Sequence, residues 1–190
     1  MQVKLIIFSA PSGSGKTTIV NRMLEKDLGL EFSISATSRN PRGVEQHGKE
    51  YYFLTEEEFR QKIAADEFVE YEEVYSGCFY GTLRSEIERI SAEGKNILFD
   101  IDVKGGINIK NQYGSKALSL FIAPPSIETL NQRLINRCTD SPEMIKKRVE
   151  KARYEMSFAP QFDLVIVNDK LDIAVQQAEN AITNFISKKK

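Results

Sequence analysis

The sequence predicts an α/β protein: a parallel sheet with helices on both faces, carrying a smaller α+β insertion. Three observations lead there. Short apolar runs bounded by turn residues, "VKLIIFS", "NILFDID", "ALSLFIAPP" and "DLVIVND", have the unbroken hydrophobicity of strands covered on both faces. Segments of helical periodicity separate them, and that alternation builds parallel sheets. From Ser33 to Thr82 the pattern changes to alternating strands rich in aromatics and charge, which predicts an insertion with its own small antiparallel sheet.

In chain order, Val3 to Ser9 forms the first buried strand. Residues 17–28 put Ile19, Val20, Met23 and Leu24 on one helical face, and Gly29 stops the helix. "EFSISATS" alternates into a loop of arginine, proline and glycine at 39–48, and "EYYFLT" reads as a strand. Thr55, with Glu58 three residues on, spells a capping box for a helix over 56–65. "EFVEYEEVY" alternates again, "SGCFYGT" reads as a turn-rich loop, and 83–92 is helical up to Gly94. "VKGG" follows the second buried strand and precedes the third. Ser126 caps a helix to about Arg137. Ser141 and Pro142 form an N-cap and N1 pair for a longer helix toward Phe158. A closing amphipathic helix spans 171–187, and the last three lysines read as a solvated tail. Residues 1–32 and 83–190 thus make the core, with a lid at about 137–148, and 33–82 make the insertion.

The chain is 41% hydrophobic with a net charge of −1, which argues against a general nucleic-acid or membrane surface. No apolar run approaches the roughly 20 residues of a membrane span. With no leader segment visible, a cytoplasmic location is expected. Cys78 and Cys138 lack C-x-x-C spacing, so they read as small packed thiols rather than zinc ligands.

Behind the first strand, "APSGSGKT" (Ala10 to Thr17) matches G-x-x-x-x-G-K-[ST] except that Ala10 replaces the first glycine. The expectation is a P-loop NTPase-type core. Gly13 and Gly15 let successive backbone N–H groups converge on one hollow, and the helix that follows adds the positive end of its dipole. Ala10, Pro11, Ser12, Gly13, Ser14, Gly15, Lys16, Thr17 and Thr18 are therefore expected around the phosphates of a bound nucleotide. Lys16 would reach the outer phosphates and Thr17 a magnesium ion. Asp100, at the end of "ILFD", puts a carboxylate where open α/β sheets bind ligands and is the second expected magnesium contact. A GTP switch would want D-x-x-G, which Asp102 to Gly105 spells. It would also want N-K-x-D, and Val167 to Lys170 has the wrong order.

"SATSRNPRGVEQHGKEYYF" resembles the signature of the guanylate kinase family, roughly S-x-T-T-R-x-P-R-x-G-E-x-x-G-x-x-Y-x-F. "FVEYEEVYSGCFYGT", "ILFDIDVKG", "FIAPPS", "RLINRCTDSPEMIKKR" and "DLVIVND" resemble further family segments in family order, so the resemblance covers nearly the whole chain. The departures are Ser38 at a threonine position, Gly43–Val44 at a loop tip, and Cys138 at a common glycine position.

The resemblance implies magnesium-dependent, reversible phosphoryl transfer from ATP to GMP, with dGMP left open as an acceptor. It assigns the guanine-reading carboxylates to Glu70 and Asp102 and the base-contacting hydroxyls to Ser35 and Thr82. A carboxylate accepts both parallel donors on the guanine edge, which adenine lacks. On its own, Glu70 beside Glu72 and Glu73 reads as a solvated strand edge. Arg39, Arg42, Tyr51 and Tyr80 are implied to grip the acceptor's phosphate, since a planar guanidinium fork matches phosphate oxygens. Arg133, Arg137 and Arg148 are implied catalytic cations of a mobile lid, and Asn168 an adenine-side contact. His47, the one histidine, is expected to take no part. Two alternatives remain open: a nucleoside-monophosphate kinase for another base, and a peptide-binding module of the same fold.

Overall fold

The computed structural model describes residues 3–137 and 141–188. Cys138, part of the expected lid and the last two lysines of the tail lie outside the described residues.

In chain order the elements are β1 (Leu5–Ser9), α1 (Lys16–Leu24), β2 (Leu30–Phe32), β3 (Ala36–Thr37), β4 (Tyr52–Phe53), α2 (Glu56–Ala64), β5 (Phe68–Tyr75) and β6 (Cys78–Leu83). There follow α3 (Arg84–Ala92), β7 (Asn96–Asp100), α4 (Val103–Tyr113), β8 (Ala117–Ala123), α5 (Ile127–Asn136), α6 (Pro142–Met156), β9 (Leu164–Val167) and α7 (Leu171–Ser187).

Five strands form the parallel core sheet in the order β2-β7-β1-β8-β9. Side chains alternate between its faces. Ile6 and Phe8 of β1 pack with Leu98, Leu120 and Ile166 under Ile19, Val20 and Met23 of α1 and Ala174, Ala178 and Ile182 of α7. Leu5 and Ile7 point the other way, with Ile97 and Phe99, toward Ile90 of α3 and Ile109 of α4. Both faces are covered, which is why β1 tolerates no polar position before Ser9. Each such fully buried aliphatic side chain contributes roughly 1.5–3 kcal/mol.

The inserted lobe carries a second sheet, β4-β3-β6-β5. Its core stacks Phe59 of α2 against Phe68 at 4.3 Å and Phe79 at 5.3 Å between ring centroids. The Thr55–Glu58 capping box opens α2 as the sequence predicts, with both reciprocal bonds made.

Several elements differ from expectation. The core sheet has five strands, because Leu30–Phe32 adds an edge beside β7. The fourth expected buried strand, β9, is the opposite edge, with Leu164, Val165 and Val167 partly in solvent. The inserted sheet is mixed, since β3 and β4 run parallel. "SGCFYGT" is mostly strand: only the turn before Cys78 is loop, and β6 pairs antiparallel with β5. The first helix ends at Leu24 rather than Leu28. "VKGG", to which the sequence pattern assigns no element, opens a helix, α4.

The glycines of α4 have a packing reason. A Cβ on Gly105 would lie 2.7 Å from the Glu70 carboxylate, and one on Gly106 would lie 2.6 Å from Ser9 Oγ. The helix needs a bare first turn to sit on β1 and on the inserted lobe.

Candidate active site

The C-terminal ends of β1 and β7, the inserted lobe and α6 enclose one cleft of about 810 Å³. At one end lies the loop between β1 and α1. Gly13 and Gly15 adopt φ of 96° and 89°, values that favour glycine. Gly15 is the N-cap of α1, whose first turn holds no acidic residue and whose N-cap makes no side-chain bond. The positive helix end is thus left for an external anion.

Lys16 pairs with Asp100 and donates to the Ile101 carbonyl at 2.9 Å. Thr17 and Asp100 both line the cleft. Their hydroxyl and carboxylate are hard oxygen donors, the set magnesium takes when phosphates and waters complete its shell. Among the described residues no cluster of three His, Cys, Asp or Glu competes to cage a metal elsewhere.

The other end belongs to the inserted lobe. Glu70 is buried, not the solvated edge that its acidic run suggests. A register shift in β5 brings it opposite Thr82, whose hydroxyl donates to it at 2.7 Å. Burial, with Asp102 adding like charge, raises its pKa to about 7. Asp102 caps α4, its Oδ1 accepting from Gly105 N–H at 2.9 Å. The D-x-x-G string is therefore a helix cap. Ser35, Arg42, Tyr51 and Tyr80 also line the cleft. Burial raises the Tyr51 phenol above its ordinary value.

Arg39 stands one layer back. It makes two bonds to Glu45, at 2.6 and 2.8 Å, and donates to Tyr80 Oη at 3.1 Å. Its guanidinium lies over the Tyr51 and Phe53 rings. The pair with Arg39 and the Arg42 backbone N–H hold Glu45 down at about 2. A carboxylate thus occupies the Arg39 fork in this state.

The third wall is α6. Lys147, Arg148 and Lys151 present cations to the cleft, and Arg148 Nη1 donates to Ser12 Oγ at 2.8 Å. Arg137 lines the cleft from the end of α5. Six cationic and four acidic side chains line the space, so positive charge is concentrated here in a chain of net charge −1. Glu155, half-buried on the same helix, has its carboxyl pushed up by burial.

Five expected site residues do not reach the lining: Ser14, Arg39, Thr82, Arg133 and Asn168. Thr82 and Arg39 act on residues that do. Asn168 is buried, and its Nδ2 donates to the Ser14 carbonyl at 2.7 Å. Arg133 Nη2 donates to the Asn168 carbonyl at 2.8 Å. Together they buttress the phosphate loop from behind. Sequence reasoning missed Lys147, Lys151 and Glu155; their four-residue spacing, which puts side chains on one helical face, was the available signal.

A phosphate loop and a second polar pocket that open into each other are the layout of a P-loop kinase acting on a small phosphorylated acceptor. The comparisons narrow this class. The guanylate kinase family model matches residues 2–185. The guanylate kinase of Bacteroides fragilis is 59% identical over 97% of this chain and 91% of its own length. That of Porphyromonas gingivalis is 59% identical over 97% of this chain and 99% of its own length. The crystal structure of guanylate kinase from Anaplasma phagocytophilum superposes with a TM-score of 0.78 at 29% identity, covering 98% of this chain and 88% of that one. The chain belongs to the guanylate kinase family. No helix among the described residues is long and apolar enough to cross a membrane.

Proposed function

We propose that the cleft carries out its family's reaction, moving the γ-phosphoryl of ATP onto GMP to give ADP and GDP, with the following division of labour. The observation that carries the reading is that the loop of Lys16 and the pocket of Glu70 and Ser35 line one continuous cleft.

The loop N–H groups and Lys16 hold the donor's phosphates. Lys16 exchanges its contacts with Asp100 and Ile101 for phosphate oxygens. Thr17 and Asp100 suit a magnesium ion, which when bound neutralises phosphate charge. Ionised Glu70, oriented by Thr82, accepts the N1–H and exocyclic amine of guanine, with Ser35 and Asp102 beside it. Adenine would leave that buried carboxylate unmatched, so discrimination of roughly 10⁴-fold is within reach. Arg42, Tyr51 and Tyr80 hold the acceptor's phosphate, and Arg39 joins them by sharing its fork between Glu45 and the phosphate.

That phosphate, with a second pKa of about 6, is already an oxyanion near neutral pH, so the chemistry needs positioning and charge more than a base. Arg137, Arg148 and the neighbouring lysines meet the transferring group as the lid and inserted lobe close and exclude water. Asn168 and Arg133 act by holding the loop.

An acceptor panel of GMP, dGMP, AMP, UMP and dTMP with ATP and magnesium, read by ADP release, tests the assignment. GMP should lead by orders of magnitude, and Lys16→Met should remain folded with almost no turnover. Preference for another base, or release with no acceptor, refutes it.

A further inference from the structure

The inserted lobe joins the core at two chain crossings: residues 33–35 between β2 and β3, and the direct passage from β6 into α3 at Leu83–Arg84. One buried carboxylate connects them. Glu86, in the first turn of α3, is 2% exposed. It accepts from Ile34 N–H on the first crossing at 3.1 Å and from the Tyr52 hydroxyl of β4 at 2.9 Å. Arg89, one turn along α3, supplies charge at 2.6 and 3.3 Å.

The lobe-side partners flank acceptor-pocket residues. Ile34 precedes Ser35, Tyr52 follows Tyr51, and both Ser35 and Tyr51 line the cleft. The two segments are also bonded directly, Tyr52 N–H to the Ser35 carbonyl at 2.9 Å. On the core side, α3 is seated firmly through Ile90, fully buried against β1 and β7.

We propose that Glu86 is a positioning residue for the acceptor nucleotide, clipping the two lobe crossings together so that Ser35 and Tyr51 face the phosphate loop at the transfer distance. The proposal rests on the guanylate kinase reading of the cleft. An ion pair with Arg89 alone would require no contact with the lobe. Arg89 itself stays largely in solvent while the carboxylate it meets is buried; burying a charge contributes little net stability against an apolar substitute, and the best-attested role of such groups is to specify one arrangement. Here the arrangement is the lobe's angle on the core. The burial that holds the Tyr52 hydroxyl protonated keeps it a donor to Glu86.

Steady-state kinetics on the full chain test this, varying GMP at saturating ATP and ATP at saturating GMP. Tyr52→Phe removes only the lobe-side bond and leaves the ring. It should raise KM for GMP about tenfold, the equivalent of one lost hydrogen bond, and leave KM for ATP within about twofold. Glu86→Gln, which puts a donor opposite Arg89, should do the same or more, and Tyr52→Phe should add little on top of it because both cut one contact. The proposal falls if KM for GMP stays within about twofold in both variants, or if both KM values rise together as the melting temperature drops. Failure of wild-type protein to use GMP at all would instead sink the guanylate kinase reading.

Discussion

Glu70→Gln separates the two jobs of the acceptor pocket, because the carboxylate proposed to read guanine also weakens the folded state at high pH. Folding raises its pKa from 4.5 to about 7, chiefly by burial. The folded chain therefore binds this proton more tightly than the unfolded chain. The resulting stability is fully present below pH 4.5 and is lost as pH rises through about 7. At about 1.4 kcal/mol per pH unit of displacement, the ionised carboxylate costs roughly 3 kcal/mol. Glutamine is isosteric, still accepts from Thr82 Oγ1, and does not titrate. At pH 5 the variant and the wild type should be nearly equally stable. At pH 8.5 the variant should be the more stable by about 2–3 kcal/mol, or roughly 5–10 °C in Tm for a chain of this size. Denaturant melts at both pH values measure this. The reasoning fails if the variant's advantage does not grow with pH, or if the variant is the weaker at pH 8.5. Guanine supplies the missing donors, so kcat/KM for GMP should fall by about 10²–10⁴-fold in the variant, and GMP binding near pH 6.5 should release more protons in the wild type than in the variant, where only the nucleotide's own phosphate titrates.

Three further changes test other parts. Asn168→Ala removes the bond to the Ser14 carbonyl and leaves a buried acceptor unmatched; it should cost about 1–3 kcal/mol in denaturant melts and raise KM for ATP more than KM for GMP. Gly105→Ala puts a methyl 2.7 Å from the Glu70 carboxylate, so GMP use should suffer while ATP affinity, measured by titration calorimetry, holds; an unchanged KM for GMP would show that α4 yields instead. Ile7→Ala in the sheet interior, where Ile7 is fully buried, should cost about 2–5 kcal/mol of stability with KM values unchanged in the folded fraction.

What was legible in the sequence divides along a physical line. The buried strands β1, β7 and β8 and the phosphate loop are local patterns: an apolar run, a turn that tolerates positive φ, and a lysine at a helix start. The capping box of α2 and the Ser141–Pro142 start of α6 are equally local, and both form as read. Helix α4 was hidden because Gly105 and Gly106 look like breakers, and their purpose is visible only once Glu70 and Ser9 are placed against them. Strand β6 was hidden for a related reason. A Cβ on Gly81 would meet the Glu70 carbonyl at 2.7 Å and the Phe68 ring at 2.9 Å, so the close pass of β5 demands a glycine that reads as a turn signal. The burial of Glu70 and the bridging role of Glu86 depend on contacts 12 and 52 residues apart, which no periodicity records.

The same contrast bears on how the site works. Its outer cations sit on α6 and at the end of α5, elements that meet through a small cluster of Leu130, Leu134 and Ala152. The loop beneath is buttressed by Asn168 and Arg133, and the acceptor carboxylate is fixed by Thr82 and crowded by Gly105. The groups proposed to choose the nucleotides are thus tied into the sheet, whereas the cations proposed to meet the transferring charge ride on a more lightly anchored arm. Ligand-driven motion is drawn from weakly packed elements, so closure should begin at α6 and leave the loop between β1 and α1 unchanged. Amide hydrogen exchange with and without both nucleotides can follow this. Protection gained first in α6, against a loop already protected by its clamp, is the expected order. Equal gains in both would mean that the phosphate loop itself is assembled only when substrate arrives.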